Sequence, residues 1–301
     1  MAKKYKVLNE GFSVVIPAFN EENAIEDTVN KCYEVLNSVE GLPFEIIVVN
    51  DGSKDKTAER VPLDKCTLIN HPKNYGYGRS LYLGIQKAQY PYIGIIDADS
   101  TYDANDFKRM IPLMDVYDMV IGKRKLTNQS KTVSLMRKTL KGLIYFFSEH
   151  YSEDPNSGLR IFKKSLVEYG GHLFSKRFSF STSLTFFAAL NFQFIEYIPI
   201  EYGDRTGVSK VRHLRDSIRT FILILTMALI YRPLKCFSCL TILFISFVMA
   251  LFTVRKKMNS DSFNVWIQLL SIATLNTAMS FLAFIMGKSY VDQLAIPTKR
   301  K

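Results

Sequence analysis

Ile95-Ile96-Asp97-Ala98-Asp99 ends an apolar run on two carboxylates one residue apart. Upstream, Val14-Val15-Ile16-Pro17-Ala18-Phe19-Asn20-Glu21 and Val48-Val49-Asn50-Asp51-Gly52-Ser53 end in the same way. Each run is short and apolar enough for a buried strand, and each gives way to polar or acidic residues. Ligands of an open α/β sheet sit at the carboxyl ends of its strands, so this ordering lines one cleft with acidic groups. An Asp-x-Asp pair there offers hard oxygen ligands to a divalent cation, and the cation can bridge a diphosphate. The expected ligand is therefore a nucleotide diphosphate.

Outward from these runs, short apolar segments alternate with helical periods. Strands are expected at 12–16, 44–49, 67–69, 92–96 and 119–121, with helices at 22–39, 54–59, 78–89 and 105–114. That alternation predicts an α/β domain with a mostly parallel central sheet covered on both faces. Glu21 and Glu22 follow Asn20, which places acidic residues where a helix dipole favours them. Asn74-Tyr75-Gly76-Tyr77-Gly78 reads as a turn leading into a helix. From 123 to 217 the order is a basic helix, an Asp/Pro/Ser/Gly turn, a short strand, a further helix, a strand and a basic loop. This stretch completes the same domain, 1–212.

The last third differs. No residue is charged from 237 to 254 or from 263 to 287. A membrane span needs about 20 apolar residues, so region 233–301 is expected to hold two transmembrane helices and a basic tail. Residues 213–232 begin with charges and are expected to form an amphipathic interface helix, ended by Arg232-Pro233. Two spans return Lys299-Arg300-Lys301 to the side of the first domain, in keeping with the positive-inside rule, whereas Arg255-Lys256-Lys257 falls on the other side. The alternative is that these are buried core helices of a soluble protein.

Lys and Arg total 39 against 28 Asp and Glu, a net charge of +11, which suits anionic partners. The basic residues cluster beside the membrane-like part, which disfavours nucleic acid. Residues 1–6 lead into mixed sequence rather than an apolar core, so no signal peptide is expected and the first domain should face the cytoplasm. The four cysteines suggest no disulfide framework, and Cys236-x-x-Cys239 reads as packing residues at the start of an apolar run. The four histidines lie far apart without ligand spacing.

The ordered set Val14 to Glu22, Val49 to Thr57, Asp97-Ala98-Asp99 and Asp154-Pro155-Asn156-Ser157-Gly158-Leu159-Arg160 resembles the family 2 inverting glycosyltransferases of the GT-A fold. Within them it is most similar to polyprenyl-phosphate hexose synthases, the dolichyl-phosphate mannose synthase group and its bacterial glucosyl relatives. The resemblance covers about residues 12–212 and implies a nucleotide-diphospho-sugar transferase domain. It implies a UDP- or GDP-hexose donor, a polyprenyl phosphate acceptor and a Mg²⁺ or Mn²⁺ ion. Asp51 matches the nucleotide-contacting aspartate, with Pro17, Ala18 and Glu21 on the first nucleotide-side loop. Asp97 and Asp99 match the aspartates of donor diphosphate and metal. Arg124 matches an arginine after Gly-Ser, here Gly122-Lys123. Arg137 matches a second arginine on the following helix, and the two imply an acceptor-phosphate site. Arg205, Ser209 and Lys210 match a basic loop over the donor diphosphate. Ser100-Thr101 stand where mannose synthases often carry Leu-Gln, so a glutamine metal ligand is absent.

Other readings stay open from the residues alone. Asp51 could simply cap the Asp51-Gly52-Ser53 turn. Arg160 could contact phosphate or pair with Asp154. Transfer to a sugar hydroxyl needs a base, for which Asp154 is the candidate. A processive polysaccharide synthase is disfavoured, because no Gln-x-x-Arg-Trp signature is present and the single tryptophan, Trp266, lies in an apolar stretch. A membrane-anchored scaffold with an inactive domain is the remaining class, and two spans could pack against neighbouring copies as a homo-oligomer.

Overall fold

The computed structural model describes residues 9–125, 131–177, 179–203 and 213–255, with scattered positions between 268 and 285. Seven strands form one sheet: β1 (Phe12–Ala18), β2 (Phe44–Asn50), β3 (Thr67–Asn70), β4 (Tyr92–Ile95), β5 (Met119–Arg124), β6 (Arg160–Lys163) and β7 (Ile195–Ile200). Their order is β3-β2-β1-β4-β6-β5-β7. β3, β2, β1 and β4 are mutually parallel, β7 is parallel to β5, and β6 runs antiparallel between β4 and β5. This is an α/β fold with a mostly parallel sheet, as expected.

Both faces of the sheet are covered, which is why β1 is buried at every position and reads as a continuous apolar run. Val14, Ile16, Ile46 and Val48 join α1 (Ile25–Asn37) in one core cluster. Helix α1 buries Ile25, Val29, Cys32 and Leu36, the stripe expected of a period near 3.6. On the other face lies α2 (Tyr77–Lys87), where a Cβ at Gly84 would stand 2.4 Å from Val15 Cγ1. The absent side chain lets helix and sheet approach. Helix α3 (Asp106–Met110) is short, α4 is Lys131–Ser148, and α5 is Ser165–Gly170. Helix α6 (Phe180–Leu190) is buried at all of its positions.

One expected helix is absent. Residues 54–59 form turns, because their backbone is bonded to the loop after β1. Lys54 N–H donates to Asn20 Oδ1 and Lys56 N–H to Glu22 Oε2, while Asn20, Glu21 and Glu22 N–H donate to Ser53 Oγ, Thr57 Oγ1 and Asp55 Oδ2. The same exchange delays α1, expected from 22, until Ile25. Asn20 itself has φ of 53°, a left-handed conformation that asparagine tolerates.

The chain divides into two compact units, the first holding Met1–Leu223 and the second Ile224–Ala295. Helix α7 (His213–Tyr231) ends at Arg232-Pro233, and α8 (Pro233–Arg255) follows. The segments Ser217–Tyr231 and Pro233–Ser246 meet at a 111° break, as proline at a helix junction requires. Among the described residues no single helix is long and apolar enough to cross a membrane, although this bent pair together reaches that length and composition. The first expected span, 237–254, falls within α8. The second, 263–287, lies largely outside the described residues.

Candidate active site

The carboxyl ends of β1, β2 and β4 open into a cavity of about 820 Å³. Pro17, Ala18, Glu21, Asp51, Asp97, Asp99, Arg124 and Arg137 all line it. The register explains part of this convergence: Ala18 lies opposite Asn50, and Val15 opposite Ile95. Asp51 and Asp97 therefore leave β2 and β4, the two strands that flank β1, at the same sheet edge. Arg205, Ser209 and Lys210 lie outside the described residues.

Asp51 shapes the turn into α2 rather than its own. Its Oδ1 accepts from Tyr75 N–H at 2.8 Å and meets His71 Nδ1 at 2.8 Å, while Oδ2 accepts from Gly76 N–H at 2.8 Å. The turn after β2 is instead closed by Asn50, whose Oδ1 accepts from Ser53 N–H. Gly76 has φ of 104°, open to glycine and strained for other residues.

The Asp-x-Asp pair lies just beyond β4. Tyr77 Oη donates to Asp97 Oδ1 at 2.9 Å, and a Cβ at Gly158 would stand 2.5 Å from Asp97 Oδ2. Asp99 Oδ1 accepts from the Thr101 hydroxyl at 2.6 Å and from Thr101 N–H at 3.3 Å. Thr101 thus stands beside Asp99, at the place where a glutamine was missing. Thr28 of α1 donates to Ala98 O at 3.3 Å and anchors this turn. Among the described residues no group of three or more His, Cys, Asp or Glu gathers for a metal. Two carboxylates nevertheless fit Mg²⁺ or Mn²⁺, which such sites hold through one or two carboxylates with phosphate oxygens and water completing the shell.

Arg124, which lines the cavity, pairs with Asp154. Arg124 Nε and Nη2 reach Asp154 Oδ2 and Oδ1 at 2.8 and 2.9 Å, and the guanidinium lies 5.3 Å from the Tyr202 ring centroid. Burial pushes the Asp154 carboxyl up, but the Arg124 hydrogen bonds and the charges of Arg124 and Arg137 outweigh it and hold the group below its ordinary range. Arg137, on α4, has its Nη1 buried without a hydrogen-bond partner among the described residues. Burial and the charge of Arg124 both disfavour its cation. A side cavity of about 250 Å³ is bounded by Lys123, Arg124, Arg137, Lys141, Glu153 and Asp154. An anion there would satisfy Arg137 and relieve the repulsion. Leu135, Met136, Leu140 and Leu143 of α4, with Ile218 and Phe221 of α7, give the main cavity an apolar wall.

Arg160 takes neither role expected of it. It is 0% exposed, and its five N–H groups meet neutral oxygens: Nε on Ser157 O, Nη1 on Ser181 O and Thr185 Oγ1, Nη2 on Pro155 O and Ser157 O. It therefore ties the 154–158 loop to α6. Tyr77, Tyr202 and Gly158 were not legible as site residues. Gly76-Tyr77-Gly78 was visible only as a turn, and the other two reach the site through tertiary packing.

The chain has the GT-A fold, with a cavity at the carboxyl ends of its strands. The family model for glycosyl transferase family 2 matches residues 13–173, and the chain belongs to that family. It is 31% identical over 199 residues to an uncharacterized protein of Methanocaldococcus jannaschii, covering 62% of this chain and 79% of that one. It is 30% identical over 170 residues to a dolichyl-phosphate beta-glucosyltransferase of Trichomonas vaginalis, covering 50% of this chain and 53% of the relative. Among solved structures it is similar to glucosyl-3-phosphoglycerate synthase of Mycobacterium tuberculosis in complex with Mg²⁺ and uridine diphosphate. That match has a TM-score of 0.60 at 18% identity, over 72% of this chain and 79% of the other.

Proposed function

We propose that the protein transfers a hexose from a nucleotide-diphospho-α-hexose, UDP- or GDP-linked, to a polyprenyl phosphate with inversion. The product would be a polyprenyl-phosphate β-hexose. The observation that carries this reading is that Asp51, Asp97 and Asp99 line one cavity together with Arg124 and Arg137. The Trichomonas vaginalis relative, named for dolichyl phosphate, supports the acceptor class.

In this reading Asp51, Pro17, Ala18 and Glu21 border the nucleotide. Asp97 and Asp99 would hold a Mg²⁺ or Mn²⁺ ion, whose charge offsets that of the leaving diphosphate. A phosphate oxygen of the lipid forms a bond to the anomeric carbon as the bond to the diphosphate breaks from the opposite face. The acceptor is already an anion, so no strong base is required, and catalysis rests on positioning and charge. Arg124 and Arg137 orient the acceptor phosphate. Guanidinium forks suit phosphate oxygens, and the unsatisfied Nη1 of Arg137 is a ready donor.

The apolar wall from α4 and α7 suits the first isoprene units. We further read α7 as an interface helix and the apolar segments after it as membrane-embedded. Arg205, Ser209 and Lys210 would close over the donor diphosphate. The alternative, transfer to a sugar hydroxyl with Asp154 as base, is disfavoured by the occupation of both Asp154 oxygens by Arg124. The test is transfer by the full chain in detergent, using UDP- and GDP-hexoses and a short polyprenyl phosphate. Transfer from one donor that is lost on chelation and on Asp99→Ala supports the reading. Transfer only to a saccharide, lost on Asp154→Asn, replaces it.

A further inference from the structure

We propose that Tyr77 is a positioning residue for Asp97, holding its carboxylate in place for the divalent cation that arrives with the donor diphosphate. The inference rests on the reading of the cavity as a nucleotide-sugar site, and assigns to that site a residue outside its acidic set.

The backbone around Tyr77 is built for close approach. Gly76 adopts φ of 104°, and a Cβ on Gly78 would stand 2.1 Å from Ser175 O. Gly78 N–H donates to Arg177 O at 3.0 Å, and Arg79 N–H to Lys176 O at 3.1 Å. These bonds seat the first turn of α2 on the 175–177 segment, and Asp51 fixes the same turn from the other side through Tyr75 and Gly76 N–H. Tyr77 is thereby delivered to the cavity wall from a rigid turn.

Its hydroxyl reaches Asp97 Oδ1 at 2.9 Å, and both residues line the cavity. The phenol O–H is the donor of this bond and the Asp97 carboxylate the acceptor. On the other oxygen, the Cα of Gly158 leaves no room for a side chain, and Gly158 N–H is itself held by Tyr102 Oη at 2.7 Å. Oδ1 is therefore bonded by Tyr77, and Oδ2 packs against Gly158. A carboxylate has about four lone-pair sites, so one hydroxyl fixes its plane without exhausting its capacity for a cation. Partners of this kind orient metal ligands, and removing one weakens metal binding by about 10–100-fold.

The test is Mn²⁺ binding to the full chain in detergent, followed by electron paramagnetic resonance in the presence of UDP and, separately, GDP. Tyr77→Phe deletes one oxygen and should weaken Mn²⁺ binding by about tenfold or more at an unchanged melting temperature. Gly158→Ala, which drives a methyl against Oδ2, should weaken it as well and serves if Tyr77→Phe does not fold. Wild-type Mn²⁺ affinity in a folded Tyr77→Phe, alongside loss in Asp97→Asn, overturns the role of Tyr77 and leaves the donor site standing. No Mn²⁺ binding by the wild type with either nucleotide overturns both.

Discussion

Arg124 and Asp154 meet through two parallel hydrogen bonds, Nε to Oδ2 at 2.8 Å and Nη2 to Oδ1 at 2.9 Å. Their side chains are only 10% and 9% exposed. This fork joins β5 to the loop before β6, and Arg124 lines both cavities. Removing one member of a buried pair costs about 3–5 kcal/mol, so Asp154→Asn should lower stability by roughly 3 kcal/mol in denaturant titration. The sign with pH follows from the depressed carboxyl of Asp154. Its contribution is full above the ordinary carboxylate pKa of about 4 and is lost as pH falls through the lower folded value. The gap between wild type and Asp154→Asn should close in that acid range, while transfer should show no step from Asp154 near neutrality.

Arg137 carries a buried donor without a partner among the described residues. Hydrogen bonds to charged groups are worth about 1.5–3 kcal/mol, so Arg137→Ala should raise the KM for polyprenyl phosphate by about 10–100-fold. The KM for the nucleotide sugar should stay near that of the wild type. Equal rises in both would remove Arg137 from the acceptor side.

Thr101 donates its hydroxyl to Asp99 Oδ1 at 2.6 Å. Thr101→Val keeps the shape and removes that bond, a net effect of about 1 kcal/mol or roughly fivefold. The expected result is a fivefold weaker affinity for the metal–nucleotide complex, measured by titration calorimetry.

Gly84 sits against Val15 and Val49, where a Cβ would meet their methyls at 2.4 and 3.1 Å. Overpacking of this kind costs about 1–3 kcal/mol. Gly84→Ala should lower the melting temperature of the first unit, although the residue is remote from the cavity lining.

The acidic edge of the site was legible because strand ends are. A buried parallel strand is a short apolar run, and whatever follows it must lie at the sheet's carboxyl edge, which locates Asp51 and Asp97 from sequence. The turn region 54–59 misled for the complementary reason. Its helical composition is overridden by side chains that bond its N–H groups from 34 positions away. Arg160 was open between phosphate and Asp154, whereas five hydrogen bonds to four neutral oxygens make it an internal clamp. Tyr77 and Gly158 have no periodic or compositional signature, since their meaning comes only from contact with Asp97.

The most direct test of the central claim is to isolate the lipid product formed by the full chain from an NDP-α-hexose and a short polyprenyl phosphate. The configuration at its anomeric carbon is then read by NMR. A phosphodiester-linked β-hexose, absent from the product of Asp99→Ala, is the expected result. A sugar joined to a hydroxyl acceptor, or an α-linked lipid phosphate, would contradict it.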